Sequence, residues 1–262
     1  MKKLILFVLS CLVLTGLVAG CGGDKAADQN NATKKIVIGL DDNFPPMGFK
    51  DEKNEIVGFD IDMAKEVSKR LGRDVEFKPI DWSSKEAELK SGRIDVIWNG
   101  LNITDERKQN MAFSKPYMEA KQLIFVPTGS PIKGQADLEG KVVGMQSAST
   151  AEINLDNDQV FAQTLKEVKK YPDCIAALMD MEAGRVDAII TDEIVGRYYM
   201  EKKPGKFMAL DEPIGPVGEF GIGFRLDDQA LVDAVQKALD EMKAEGVSSK
   251  ISTKWFKADL VN

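Results

Sequence analysis

From Lys35 onward the apolar positions alternate between two rhythms. Short runs with strand-like composition lie at Lys35 to Leu40, Asp74 to Pro79, Ile94 to Trp98, Lys141 to Met145, Val186 to Ile190 and Glu219 to Arg225. Helical spacing runs through Asp60 to Leu71, Lys85 to Ser91, Cys174 to Ala183, Glu193 to Met200, Asp228 to Lys243 and Ser249 to Phe256, and a further helix is predicted to begin near Thr150. Asp60 offers the first helix an N-cap and Gly72 closes it. Pro45 and Pro46 forbid a helix in the loop that starts at Asp41. Strands alternating with helices predict an α/β fold with largely parallel sheets.

One phrase occurs twice. Ser91-Gly92-Arg93-Ile94-Asp95-Val96-Ile97 returns as Ala183-Gly184-Arg185-Val186-Asp187-Ala188-Ile189. Each copy is a helical run closed by glycine and followed by an apolar strand, with polar groups just beyond: Asn99 in one, Thr191 and Asp192 in the other. In open α/β sheets ligands gather outside the carboxyl ends of the strands, so two matching strand ends imply two half-sites facing one cleft. Chance recurrence of a common helix-glycine-strand phrase is the plainer alternative.

The first twenty residues read differently. Met1-Lys2-Lys3 is a basic start, Leu4 to Val18 is almost wholly apolar, and Val18-Ala19-Gly20-Cys21 supplies small residues ahead of a cysteine. The apolar run, about 15 residues, falls short of the roughly 20 that span a bilayer as a helix. Residues 1–20 are therefore expected to be a secretory signal. Cys21 resembles the acylated first residue of a bacterial lipoprotein, and residues 21–34 a polar tether that cannot pack a core. The protein is expected outside the cytoplasm, lipid-anchored at the outer face of the cytoplasmic membrane or in the periplasm.

Cleavage after Gly20 removes Lys2 and Lys3 but no acid, so the formal charge falls from −7 by two. An acidic chain without basic runs argues against nucleic acid or anionic lipid as a partner. Cys11 leaves with the signal and Cys21 would carry lipid, which leaves Cys174 alone as a small core residue with no disulfide to form. The chain has no histidine, which excludes His-based nucleophilic catalysis, and no cysteine cluster offers a metal site. No cofactor is implied.

The phrases Gly58-Phe59-Asp60-Ile61-Asp62, Gly100-Leu101-Asn102-Ile103-Thr104-Asp105-Glu106-Arg107-Lys108, Phe113-Ser114-Lys115-Pro116-Tyr117 and Lys254-Trp255-Phe256 carry a further reading. In this order they resemble the bacterial extracellular solute-binding proteins that deliver polar amino acids to ABC importers, over nearly the whole chain from Lys35. The resemblance implies a two-lobed "Venus flytrap" with an amino acid clamped in the cleft. Lobe 1 would span 35–117 and 221–262, and lobe 2 would span 122–216. The crossovers at 118–121 and 217–220 would act as hinges. It also implies an ABC permease as partner and a monomeric receptor.

An amino acid presents a carboxylate and an ammonium, so a tight site needs a fixed cation and a fixed anion. Arg107 can offer a carboxylate two parallel donors from a short helix capped by Thr104, and the resemblance makes it the anchor. Its plainer reading is an exposed helical arginine paired with Glu106 or Asp105. Ser149 and Thr150 would add the N-terminus of a helix. Asp192 matches the ammonium-binding aspartate, although by itself it reads as the cap of the next helix. By the same match Asn99, Gly100 and Asn102 approach the ligand, Phe44 and Trp82 wall the side-chain pocket, and Trp98 and Trp255 are left to the core. Asp41 probes the far end of the ligand, Asp42 adds charge nearby or is only a turn residue, and Gln146 stands where some glutamine binders carry lysine. Carboxylates without a matching lysine favour a polar or basic amino acid, or cystine, over glutamate or aspartate. The rival classes are a cyclohexadienyl-dehydratase-like enzyme, for which Glu219 is the one acid to nominate, and a ligand-sensing receptor domain.

Overall fold

The computed structural model describes residues 35–262. The signal, Cys21 and the tether lie outside the described residues. Two sheets organise the rest. The first takes its strands in the order Val75–Pro79, Ile36–Leu40, Val96–Asn102, Gly218–Phe224 and Ala112–Phe113, with Met118–Ala120 also laid against Gly218–Phe224. The second has the order Glu167–Tyr171, Val142–Gln146, Ala188–Asp192, Gln122–Pro127 and Phe207–Pro213. The result is a two-lobed α/β protein with one large sheet to each lobe, and a small three-stranded sheet of Asn43–Phe44, Gly48–Lys50 and Ile56–Val57 beside the first.

The repeated phrase builds the same structure in both lobes. Gly92 and Gly184 both turn the chain at left-handed φ, 73° and 69°. Asp95 accepts from the Val37 amide at 3.0 Å while its own N–H meets the Val37 carbonyl, and Asp187 treats Val142 the same way, with its carboxylate at 2.8 Å. Ile36–Leu40 lies parallel to its two neighbours, as does Val142–Gln146 in the other sheet. Matching side-chain bonds and matching register make duplication of one α/β unit the better account of the phrase than chance.

The expectation of largely parallel sheets needs correction. Each sheet is parallel only in the half that carries this unit; Gly218–Phe224 runs antiparallel to Val96–Asn102, and Gln122–Pro127 antiparallel to Ala188–Asp192. The cause is the double crossing of the chain. Met118–Ala120 in the first sheet is followed at once by Gln122–Pro127 in the second, and Phe207–Pro213 in the second by Gly218–Phe224 in the first. The two passages lie side by side, with Glu119 opposite Glu219 in an antiparallel pair.

The cores follow the expected periodicities. Gln229–Ala244 buries Leu231, Val232, Val235, Ala238, Leu239 and Met242, one face of a helix, against a cluster that includes Met63, Val67 and Phe224. Each such side chain contributes about 1.5–3 kcal/mol relative to exposure. The second lobe has its own clusters around Ile124, Val143 and Ile190 and around Phe125, Leu178 and Ile189. Cys174 is buried as expected, but its thiol donates to the Asn43 carbonyl at 3.3 Å, so it packs at the seam between the lobes. Among the described residues no helix is long and apolar enough to cross a membrane.

Candidate functional site

Val96–Asn102 overruns its expected end at Trp98, and all its residues are buried. Asn99, Gly100 and Asn102 therefore lie within the strand. Asn99 accepts from the Asp41 amide at 3.1 Å, which fixes the end of the neighbouring strand. Gly100 has φ 56°, and a Cβ there would come within 2.8 Å of the Phe44 ring, so backbone and aromatic wall both require glycine. Asp60 does not cap its helix. The helix starts at Phe59 behind Gly58, and the buried Asp60 carboxylate accepts instead from the Gly100 N–H at 2.7 Å and the Tyr117 hydroxyl at 3.1 Å. That buried amide lies where the ladder to Gly218–Phe224 shifts register, and only a side chain reaches it. Burial raises the Asp60 carboxyl to about 7 against these bonds.

Thr104 caps the helix Asp105–Lys108 by accepting from the Arg107 amide at 3.2 Å. Lys108 pairs with Asp105 outside, while Arg107 turns inward and is 2 % exposed, so the exposed ion-pair reading of this arginine fails. Its guanidinium donates to the Asn102 carbonyl at 2.9 Å, the Ala148 carbonyl at 3.2 Å and the Thr150 hydroxyl at 3.3 Å. All three acceptors are neutral. Burial lowers its pKa to about 10, with the Asp192 charge opposing, so it stays a cation at neutral pH.

From the second lobe, Ser149-Thr150-Ala151-Glu152 forms a capping box. Ser149 accepts from the Glu152 amide at 3.3 Å, and Glu152 reaches back to the Ala148 amide at 2.5 Å. These bonds help hold Ala148 at φ 54°, a left-handed conformation seldom taken by alanine. Asp192 stands at the cap position of Glu193–Lys202, yet its side chain makes no capping bond. It accepts from Gln122 at 2.6 Å and Asn102 at 3.1 Å, and burial raises it to about 6. Gln146 crosses the cleft to donate to Asp41 at 2.7 Å; burial raises Asp41 to about 6 against the Asn43 amide and Gln146. Asp42 is a turn residue that pairs with Lys50 at 2.5 Å, so its charge is taken up outside the cavity.

One cavity is lined by Asp41, Phe44, Trp82, Asn99, Gly100, Asn102, Arg107, Gln146, Ser149, Thr150 and Asp192, the residues that the family resemblance sets around a ligand, while Asp42 and Glu219 lie outside it. The lobes are drawn together over it, leaving about 10 Å³, room for about one water. A fixed cation, two carboxylates and a helix N-terminus converge on this space between two aromatic walls, an arrangement suited to a small zwitterion.

Residues 36–258 match the family model of bacterial extracellular solute-binding proteins, family 3. The chain belongs to this family. It is 30 % identical to a probable histidine-binding protein of Neisseria gonorrhoeae over 98 % of this chain and 96 % of that one. It is 31 % identical to the L-cystine-binding protein TcyJ of Escherichia coli K12, over 95 % and 94 %. Among solved structures it resembles an ABC uptake transporter substrate-binding protein from Streptococcus pneumoniae with bound histidine, with TM-score 0.85, 34 % identity, and coverage of 92 % of this chain and 99 % of that one. These relatives are named for binding, not for catalysis.

In this family 3 chain Glu219, the acid nominated for an enzyme, is exposed on the crossing strand and lies outside the cavity. Trp255 is not core. It is half-buried, donates to Asp62 at 2.8 Å, and lines a larger cavity of about 430 Å³ beside the crossing strands. Apart from the buried Asp192, which both cavities share, the charges of that cavity pair at its surface, Lys121 with Glu119, Arg197 with Glu193 and Lys257 with Glu201. The small cavity differs in that its buried cation has no such partner among the described residues.

Sequence reading missed the parts that Asp60, Gln122 and Ala148 play in holding the site. The Ser149-x-x-Glu152 box was there to be read, and it fixes Ala148. Gln122 gave no signal, because a lone glutamine at a strand start is ordinary.

Proposed function

We propose that this chain is the receptor lipoprotein of an ABC importer, which captures a polar or basic L-amino acid, or cystine, between its lobes and delivers it to a membrane permease. The observation that carries this reading is Arg107, buried with only neutral acceptors, in the same cavity as Asp192 held by Asn102 and Gln122. A buried charge without a counter-ion is costly, and a ligand carboxylate relieves the cost at Arg107 while its ammonium meets Asp192. The names of the relatives, for histidine and for cystine, support the same class of ligand.

In this mechanism lobe 1, residues 35–117 and 221–262, meets the ligand first through Arg107, Phe44 and Trp82. Lobe 2, residues 122–216, then brings Ser149, Thr150 and Asp192 onto it by bending at 118–121 and 217–220. Contacts made only in the closed state are what let a ligand favour that state. Gln146 and Arg107, which now bond across the cleft to Asp41 and Ala148, turn to the ligand as it enters. Lipid on Cys21 would hold the receptor beside its permease, and Cys21→Ser should release ligand-competent protein from membranes or stop its processing; unaltered protein recovered freely soluble in mature form would count against the anchor.

A thermal-shift screen of the common amino acids and cystine tests the reading. A ligand at a thousandfold its dissociation constant stabilises by about 4 kcal/mol. At least one of glutamine, arginine, lysine, histidine and cystine should give a shift of that order, larger than glutamate or aspartate gives at equal concentration. No shift with any of them would overturn the proposal.

A further inference from the structure

Lys85 lies outside the set of residues read from the sequence, yet it is 3 % exposed at the edge of the carboxylate site. It stands at the start of the helix Lys85–Lys90 in lobe 1, one helical turn after Trp82, with its ammonium over the Trp82 ring at 5.1 Å. The ammonium donates across the cleft to the Ala148 carbonyl at 2.9 Å and to the Trp82 carbonyl at 3.3 Å. The Ala148 carbonyl is also an acceptor of Arg107. One left-handed residue of lobe 2 thus gathers two buried cations of lobe 1, and neither has a carboxylate within ion-pair distance among the described residues. The acids that face Lys85, namely Glu86 on its own helix, Glu106 on the helix of Arg107 and Glu152 in lobe 2, act on it only at longer range.

We propose that Lys85 is the second cation of the carboxylate site, a positioning residue that fixes the Ala148–Thr150 turn and makes closure of the lobes depend on an anion held beside Arg107. The inference rests on the amino-acid reading of the cavity. Two like charges of one lobe that lose water when the other lobe covers them oppose closure, and a carboxylate at the adjoining helix N-terminus reverses the sign of that effect. The electrostatics agree: burial pushes the Lys85 ammonium down to about 7, and Arg107 pushes it the same way. A donor that served only to tie the turn would need no charge, since a neutral amide satisfies a carbonyl equally well.

The test compares a free amino acid with its carboxamide, which keeps the ammonium and side chain and loses the negative charge. L-Histidine, L-arginine, L-lysine, L-glutamine and L-cystine are titrated calorimetrically into the unaltered protein, and the tightest is paired with its carboxamide against Lys85→Gln, Lys85→Met and Lys85→Arg. Lys85→Gln keeps a donor to Ala148 without charge, and Lys85→Met suits the apolar edge should glutamine prevent folding; melting without amino acid identifies the folded variants. Removing the charge should weaken the free amino acid roughly ten- to fifty-fold, as expected for unit charges several ångströms apart in a partly buried site, and the carboxamide by less than about threefold. Lys85→Arg should restore most of the preference for the free acid. Equal weakening of acid and carboxamide would reduce Lys85 to packing, and unchanged affinities would make it a spectator; either result overturns the proposal and leaves the amino-acid reading standing. If the unaltered protein binds none of the five, the amino-acid reading fails and this proposal with it.

Discussion

Arg107→Ala is expected to cost about 3–5 kcal/mol of binding free energy for any amino acid the protein accepts, on the order of a hundredfold to a few thousandfold in Kd. The size follows from burial. A ligand carboxylate that enters this cavity gives up water and finds in Arg107 the one guanidinium that lines it. Without that group it is left beside a helix N-terminus that supplies only partial charge. Arg107→Lys should recover part of the loss, since charge returns without the planar fork. The effect should separate from folding. Without ligand Arg107 donates to three neutral oxygens and makes no ion pair among the described residues, so the melting temperature of Arg107→Ala without ligand should change far less than its affinity. Near-unchanged affinity by calorimetry would return Arg107 to the status of an ordinary helical residue.

What the sequence allowed, and what it withheld, divides along a physical line. Helix starts are local events, so the cap at Thr104 and the helix beginning at Thr150 were legible from a few consecutive residues. The duplicated unit was legible because its glycine and aspartate serve backbone requirements that recur wherever such a unit is built. Strand ends were legible at Leu40 and Pro79 but not everywhere. Val96–Asn102 runs on past Trp98 because its last residues pair with Gly218–Phe224, more than a hundred positions away. Asp60 failed as a cap for a similar reason. An aspartate near a helix start looks like a cap whatever the fold does, and only the path of the strand beneath it reveals a buried amide to be satisfied. The cavity residues came from the resemblance to a family, and their assembly around one space depends on two lobes meeting, which no local pattern encodes. Lys85 was hidden because a lysine at a helix start signals exposure.

The side chain of the ligand should reveal itself through pH. Asp41 and Asp192 are both raised to about 6 by burial in the free protein. On the proposed reading Asp192 meets the ammonium that every amino acid carries, whereas Asp41, beside Gln146, meets the far end of the side chain. A bound cation stabilises the ionised carboxylate and lowers its pKa. Below about pH 6 the free protein therefore holds protons that binding must displace, and affinity falls as pH falls, by up to about tenfold per pH unit for each carboxylate involved. Between pH 7 and pH 5 the affinity for L-arginine should draw on both carboxylates and that for L-glutamine mainly on Asp192, so the arginine profile should be the steeper. Asp41→Asn removes the charge while keeping approximate shape. It should flatten the arginine profile to that of glutamine and weaken arginine at neutral pH by roughly tenfold or more, with glutamine little changed. Parallel profiles for the two amino acids would show that Asp41 does not meet the side chain, and glutamate as the tightest ligand would place the far end of the pocket elsewhere.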